Sequence, residues 1–195
     1  MCVTKDGLTG KGHFMDSRDR VIERDEGFFE VLSLGVLRRT PGVSFDYVPV
    51  DFFPRIDAID RVIHKSGAIS PGPVGEVLRP WYMHPAQEDN LLVLHGRRTV
   101  ELYHRDHGIS VFEVTADEII HDGQLLYDGP VLLKWERNVF HRIHSDDEIG
   151  SASLNFAIRY SGFDLDTNFS IYDLDMVAGT YREIRAGHLD QPGGM

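Results

Sequence analysis

The feature that most constrains the fold is a succession of short apolar runs between residues 43 and 160. Each run is rich in β-branched and aromatic residues, as in NLLVLHG (90–96), RTVELYH (98–104) and SASLNFAIRY (151–160). Most of them are bounded by Gly, Pro, Asp, Asn or Ser, at a spacing of roughly 8–12 residues. This pattern is typical of sandwiches and barrels. The sequence therefore predicts a mainly β protein.

Two segments outside this series are predicted to be helical. In residues 26–38, acidic residues come first and Arg38 and Arg39 come last, which is the charge order that a helix dipole prefers. Residues 171–186 are predicted to form a short C-terminal helix. Within the β region, segment 115–118 resembles a capping box and predicts one short helical turn.

The length of the chain favours a single domain. A chain of 195 residues can bury a full core but is short for two domains, and we find no internal repeat and no linker. We expect residues 1–40 to form an arm and a helix that packs on a β-barrel of residues 41–170. A C-terminal helix and tail would follow over 171–195.

Charge and cysteine content restrict the partners and the compartment. Lys and Arg number 20 and Asp and Glu number 31, which gives a net charge of −11 and makes nucleic acid an improbable partner. Cys2 is the only cysteine, so an intrachain disulfide is impossible, as expected in a reducing compartment. No apolar run approaches 18 residues and the start of the chain lacks a signal-peptide pattern. We therefore expect a cytoplasmic protein without a membrane partner.

Strand alternation predicts which side chains share a face. Tyr82 and His84 would lie on one face of their strand, and Asn155 and Arg159 would share a face of theirs. Val139, His141 and Ile143 would likewise share one face of their strand. Because several strands carry bulky residues on both faces, the pattern suits a barrel that holds a ligand inside and packs on its outside.

The segment from Tyr82 to Gly96 carries a recognisable motif. It resembles the first motif of the cupins, which are small double-stranded β-helix barrels: two histidines one residue apart, then an acid, then a glycine seven residues after the acid. His84 stands at the second histidine position, and Tyr82 replaces the first. Asp89 is the acid in the register that ends at Gly96, and Glu88 is the alternative acid, one residue out of that register.

The second cupin motif is matched by residues 136–141. This motif has proline, any residue, glycine, two residues and histidine. His141 stands at the histidine position, while Glu136 replaces the proline and Asn138 replaces the glycine. The second change is mild because Asn tolerates the left-handed backbone conformation. The resemblance covers roughly residues 75–160 and implies a single cupin or jelly-roll barrel.

The resemblance also implies a divalent metal ion, which could be Fe, Mn, Ni, Zn or Cu. His84, His141 and either Asp89 or Glu88 would bind it, and two histidines with one carboxylate leave positions for water and substrate. Tyr82 would then be a fourth ligand, a proton donor or a packing residue. The alternative is that no metal binds and that the two histidines are hydrogen-bonded barrel residues.

A weaker resemblance is to sugar-nucleotide epimerases that share the cupin fold. Residues 87–96 are similar to a strand and turn of those enzymes. However, Asp89 stands where we would place their lysine, and Arg79 stands where we would place their upstream histidine. Their acid–base residues therefore do not carry over, although His84 could still act as a base with Tyr82 as the acid.

Four further residues are candidates for substrate binding. Arg79 and Arg159 could anchor an anionic substrate, because a guanidinium inside a barrel needs an anionic partner. Asn155 shares a face with Arg159, and Trp135 could line the pocket. The alternatives are an internal salt bridge for the arginines and a place in the core for the tryptophan.

Together these features favour a metal-dependent cupin enzyme, namely an oxygenase, isomerase or lyase. Its substrate would be a small polar, carboxylate or sugar-like molecule. The alternatives are a metal-free epimerase or isomerase that uses His84 and Tyr82, and a non-catalytic cupin that binds a small molecule. A homodimer is also expected, with Phe28 and Phe29 offering apolar surface to the partner.

Overall fold

A computed structural model of the protein describes residues 17–191. The strands are β1 Val21–Asp25, β2 Phe29–Ser33, β3 Gly35–Thr40, β4 Val43–Tyr47, β5 Ala58–His64, β6 Ile69–Ser70, β7 Trp81–Met83, β8 Gln87–Gly96, β9 Arg98–His104, β10 Gly108–Val114, β11 Glu118–His121, β12 Gln124–Asp128, β13 Val131–Trp135, β14 Phe140–Ser145, β15 Ser151–Arg159, β16 Ile171–Asp175 and β17 Thr180–Arg185. The helices are α1, Leu165–Asn168, and three 3₁₀ turns at Ser17–Arg20, Val50–Phe52 and Gly187–Asp190.

The strands form two large antiparallel sheets and a hairpin. One sheet has six strands in the order β1-β2-β13-β8-β15-β5. The other has the order β12-β11-β10-β9-β14-β7-β16-β17, with β6 paired to β14, and β3 and β4 pair with each other. The mainly β prediction is confirmed. The closed single barrel stays a prediction, as do the domain boundaries at residues 40 and 170.

The main core lies between the two sheets. Each sheet contributes alternate residues of its strands, because successive side chains of a strand point to opposite faces. On β8, Leu91 and Val93 enter this core, while Leu92 packs on the other face of the same sheet. On β9 of the second sheet, Val100 and Leu102 enter the core and are fully buried. A polar side chain that points inward from one sheet can therefore contact a side chain of the opposite sheet.

The outer faces of both sheets are also partly covered. On the six-stranded sheet, Leu132, Phe156 and Ile158 pack with Phe53 and its neighbours from the segment after β4. On the second sheet, an aromatic cluster forms around Trp81. Both faces of the central strands are thus buried, which explains why many of these strands read as continuous apolar runs rather than as alternating ones.

The predicted helix over residues 26–38 is wrong. The chain forms β2 and β3 here, after a turn in which the amide of Phe28 donates to the carbonyl of Asp25 (3.0 Å) and Gly27 adopts a φ of 81°. β2 is buried on both faces because Phe29 and Val31 enter the main core while Leu32 packs on the opposite face of the sheet, and such a run cannot be distinguished from a buried helix by periodicity. Phe28 and Phe29 are core residues, so they provide no dimer surface. The homodimer itself stays a prediction.

The predicted C-terminal helix is also wrong. Residues 171–186 contain the β16–β17 hairpin, in which Leu174 pairs with Tyr181. The pairing of β16 with β7 extends the second sheet, and this long-range pairing outweighs the weak local helix preference.

The predicted helical turn at 115–118 is wrong as well. The Thr115 hydroxyl does accept hydrogen bonds from the amides of Asp117 (3.2 Å) and Glu118 (3.1 Å). The chain then enters β11 directly, so the threonine closes a turn between two strands instead of capping a helix.

Cys2 and most of the predicted N-terminal arm lie outside the described residues, as does the end of the C-terminal tail. Within residues 17–191, none of the helices has the length and apolar character needed to cross a membrane.

Candidate functional site

A cavity of about 400 Å³ opens between the two sheets. Its walls are the inward faces of β5, β8, β13 and β15 on one side and of β7, β9 and β14 on the other. Leu165 and Phe169, at and next to α1, lie at its edge. A volume of this size is typical of a site for a small molecule.

His84, Asp89 and His141 meet in this cavity. His84 follows β7, Asp89 is the third residue of β8, and His141 is the second residue of β14, which pairs with β7. All three are buried, and one candidate ligand atom of each lies within 4.8 Å of the others. The Nε2 atom of His84 is 3.4 Å from Oδ2 of Asp89, and the two imidazole rings are 4.6 Å apart between centroids.

Hydrogen bonds set the tautomers of the two histidines. The Nδ1 atom of His84 bonds to the backbone carbonyl of Asn168, and Nδ1 of His141 bonds to the carbonyl of Val139 (3.2 Å). A carbonyl only accepts, so each Nδ1 carries a hydrogen and the neutral ring keeps a lone pair on Nε2. Burial and the neighbouring His84 lower the pKa of His141 to about 3, so its ring is neutral at physiological pH.

Asp89 is held by two amide side chains. Its Oδ1 accepts hydrogen bonds from Nε2 of Gln87 (2.8 Å) and from Nδ2 of Asn155 (2.7 Å). Asn155 is oriented in turn because its Oδ1 accepts from the backbone amide of Asn90 (2.8 Å). Oδ1 is therefore occupied while Oδ2 faces His84. This support by neighbouring residues is typical of ligands that must keep a fixed orientation.

The donor set fits a divalent metal ion. The Nε2 atoms of two imidazoles and one carboxylate oxygen converge at a buried place, and each of these atoms can act as an acceptor. A cation satisfies three such acceptors at once, and two nitrogens with one oxygen suit first-row transition metals. His84, His141 and Asp89 are the residues that could hold it.

Glu88 and Arg79 lie away from this cluster. Glu88 points to the opposite face of β8, where the hydroxyl of Tyr160 donates to it and Nζ of Lys134 is 3.4 Å away. Strand alternation explains this, because neighbours on a strand point in opposite directions. Arg79 forms an ion pair with Glu101 (2.7 Å) and does not line the cavity. Between the two acids left open by the sequence, the structure brings only Asp89 to the histidines.

Two aromatic residues border the histidines. The Tyr82 ring is 6.1 Å from that of His84 and 5.9 Å from that of His141, between centroids. Burial raises the pKa of Tyr82, with a smaller contribution from Asp190, so the phenol keeps its proton at neutral pH. Trp135 lies 5.2 Å from His141 between ring centroids, and its buried Nε1 has no hydrogen-bond partner among the described residues.

Arg159 reaches the cavity as expected from its place on β15. Its Nε donates to Oε1 of Gln87 at 3.4 Å, and its guanidinium stacks over Phe163 at 4.2 Å from the ring centroid. Sequence reasoning missed several other lining residues, among them the ionisable Asp60, His64 and Arg98. The alternation Arg98, Val100, Leu102 on β9 was the available signal, since it places the arginine on the same face as the core residues.

Comparisons with known proteins add limited information. No protein-family model and no curated protein matches this chain. Among solved structures, it is similar to QdtA from Thermoanaerobacterium thermosaccharolyticum, a sugar 3,4-ketoisomerase in complex with TDP. The TM-score is 0.45 at 18% sequence identity, over 70% of this chain and 82% of that one. This partial likeness assigns neither a family nor an activity to the chain.

Proposed function

We propose that the protein is a metal-dependent enzyme of the cupin type that acts on a small polar substrate, such as a carboxylate or a sugar-like molecule. The observation that carries this proposal is the convergence of His84, His141 and Asp89 on one buried place at the wall of the cavity. Nε2 of each histidine and Oδ2 of Asp89 can all accept, and a cation bound among them would satisfy the three at once.

The metal would be Fe, Mn, Ni, Zn or Cu, held by Nε2 of the two histidines and Oδ2 of Asp89. When bound, such an ion acts as a Lewis acid on a substrate oxygen or, if it is iron, can activate oxygen. Three protein ligands leave coordination positions open for the substrate. Gln87 and Asn155 keep the carboxylate in place, and the carbonyl of Asn168 keeps the His84 ring in place.

Tyr82 supplies the protonated group beside this centre. Its raised pKa makes it a stable hydrogen-bond donor and a poor base at neutral pH. It can donate to a substrate oxygen that approaches the histidines. Trp135 and Phe169 provide flat walls, and Arg159 offers a cation at the edge of the cavity.

A second candidate function is a metal-free isomerase or epimerase in which His84 is the base. The observation in its favour is the distance of 3.4 Å between Nε2 of His84 and Oδ2 of Asp89, because a carboxylate beside an imidazole stabilises the protonated ring. Tyr82 would be the acid. This candidate predicts activity that survives complete removal of metal by a chelator, whereas the first predicts its loss.

Elemental analysis of the purified chain tests the proposal directly. We expect about one transition-metal ion per chain, and we expect the chelator-treated protein to gain thermal stability when the ion is returned. His141→Ala should lose the ion. His144→Ala is the matched control, because His144 lies on the same strand with its ring bonded to Asp147 (3.0 Å) outside the cavity. Absence of metal together with no metal-induced rise in Tm would refute the proposal.

A further inference from the structure

Arg98 is an unusual residue of the cavity wall. It is only 1% exposed, and among residues 19–191 it is the only buried Arg or Lys. It is the first residue of β9 and faces inward with Val100 and Leu102. Long cationic side chains are rarely buried without a partner, because removing the charge from water costs free energy.

The partners of Arg98 are all neutral. Its Nε donates to Oγ of Ser151 (2.9 Å) and its Nη2 donates to the carbonyl of Val62 (3.3 Å). Within the described part of the chain, no ion pair involves Arg98, and Nη1 has no hydrogen-bond partner. Burial lowers the pKa of Arg98 to about 10, so the guanidinium is still charged at neutral pH. Its positive charge is therefore buried and uncompensated.

The neighbouring Arg97 shows what a structural arginine looks like in this protein. Its side chain is exposed on the outside, and its Nη1 pairs with Oε2 of Glu113 at 2.9 Å. The chain carries 31 acidic residues, so carboxylate partners are plentiful. The two acidic residues of the cavity are engaged elsewhere: Asp89 accepts from Gln87 and Asn155, and Asp60 lies 3.4 Å from Nδ2 of Asn155.

Polar groups that suit an anion surround Arg98. A hydrogen-bonded row runs from Ser151 to Ser145 (2.8 Å) and on to Nδ1 of His64 (2.8 Å). Of this row, His64 lines the cavity together with Arg98, and an imidazole N–H can donate to the oxygens of a carboxylate or a phosphate.

We propose that Arg98 anchors the anionic group of the cavity's ligand, a carboxylate or a phosphate, through its free Nη1, with His64 beside it on the cavity wall. The inference rests on the proposed function only in taking the ligand to be the substrate, since the anion site does not include the metal ligands. It narrows the substrate class to anionic small molecules. The group to be transformed would lie toward His84 and His141, in the same cavity.

The test measures anion binding in the metal-free protein. The full chain is treated with a chelator and titrated with inorganic phosphate or with acetate, against sodium chloride of equal ionic strength. We expect a saturable rise in Tm of about 5 °C or more when either anion reaches a hundredfold excess over its Kd. A response to phosphate alone would assign a phosphate-bearing ligand, and a response to acetate alone would assign a carboxylate-bearing one.

Two variants connect this binding to Arg98. Arg98→Met keeps the length of the side chain without its charge and should bind the anion about 30-fold more weakly or worse. Arg97→Met removes a charge from the adjacent, outward-facing residue and should bind like the wild type. If Arg98→Met does not fold, the guanidinium NMR signals of the wild type provide the measurement. The Arg98 Nε–H signal should shift on titration, and the Arg97 signal should not.

Equal anion binding by wild type and Arg98→Met would overturn the inference, as would the absence of saturable binding by either anion. An unchanged Arg98 signal would do the same. These outcomes are independent of metal content. A protein that binds phosphate but no transition metal would contradict the proposed metal centre and support the anion site. A protein that binds a transition metal but neither anion would support the metal centre and contradict the anion site.

Discussion

The two faces of strand β8 each carry a buried acid, and their surroundings differ. On the outer face, Glu88 is met by Lys134 (3.4 Å) and by the Tyr160 hydroxyl, and Lys134 also pairs with Glu136 (2.8 Å). On the inner face, Asp89 has two neutral amides and His84 around it. The outer cluster contains its own cation, and the inner one does not. A buried charge that is balanced within the chain serves the fold, whereas one left open at a cavity points to a ligand.

The largest expected effect comes from exchanging the acids for amides one at a time. Asp89→Asn removes a charged ligand and should weaken metal binding by ~100-fold or more, because even supporting residues of such sites contribute about 10- to 100-fold. Glu88→Gln should leave the metal affinity unchanged, since this side chain points away from the histidines. Competition with a chromophoric chelator measures both affinities. Equal losses in the two variants would abolish the distinction between the faces.

Removal of the outer cation should affect stability and not metal content. Lys134→Met leaves Glu88 and Glu136 without their partner and should lower the free energy of unfolding by about 3 kcal/mol at pH 7. Urea denaturation measures this loss. A fall in metal content of the folded variant would show that the two clusters are not independent.

The pH dependence sharpens the same comparison. Burial raises the pKa of Glu88 above the ordinary value of a glutamate carboxyl, so folding disfavours its charged form. The stability cost of removing Lys134 should therefore shrink as the pH falls through this raised pKa, because a protonated Glu88 needs no cation. Denaturation of wild type and Lys134→Met at pH 7 and pH 4 gives the two differences. A cost that does not depend on pH would contradict the ion pair.

A smaller effect is expected from the residue that orients Asp89. Asn155→Leu removes the Nδ2 donor to Asp89 but leaves all three proposed metal ligands in the chain. It should weaken metal binding by about tenfold. The same chelator competition applies, and circular dichroism verifies that the variant is folded. An affinity equal to that of the wild type would mean that Gln87 alone positions the carboxylate.

The smallest effect concerns His64, next to the anion site. Burial, and secondarily the charge of Arg98, lower its pKa from 6.5 to about 4. The unfolded chain binds this proton more readily, so the protein loses stability as the pH falls from 6.5 toward 4. Because the ring is partly exposed, the loss is only a small part of the about 1.4 kcal/mol per pH unit that a fully buried group would give. His64→Gln should flatten the stability profile in this window. Identical profiles for the two proteins would contradict the shifted pKa.

Local patterns predicted some of the residue proximities that the structure shows, while the roles of these residues stay predictions. The motif spacing selected His84, His141 and Asp89 as neighbours, and strand alternation put Tyr82 and His84 on the same face; the structure brings these residues to one cavity. Residue type alone could not decide between Asp89 and Glu88, because either carboxylate can bind a metal. The structure distinguishes them because neighbouring side chains of a strand point to opposite faces: Asp89 faces His84 and Glu88 faces Lys134.

Other parts depended on contacts that no local pattern contains. Arg98 shares a strand face with Val100 and Leu102, but this alternation does not reveal that the guanidinium lacks a counter-charge; the packing of β9 against β5 and β15 removes it from water and gives it only neutral partners. Arg79 resembled a cavity residue in the sequence, but its ion pair with Glu101 lies on the outside. Whether an arginine is a structural or a binding residue is decided by its distant partners.

By itself, the sequence determined the β class of the protein. It also determined, by alternation, which side chains share a face of each strand, because a strand's period of two is a property of the local backbone. Only the tertiary structure decided that residues 29–33 form a central strand instead of a helix, and which charged residues are left without a counter-charge. Pairing partners and burial on both faces come from segments that are far apart in the chain, and no short window contains them.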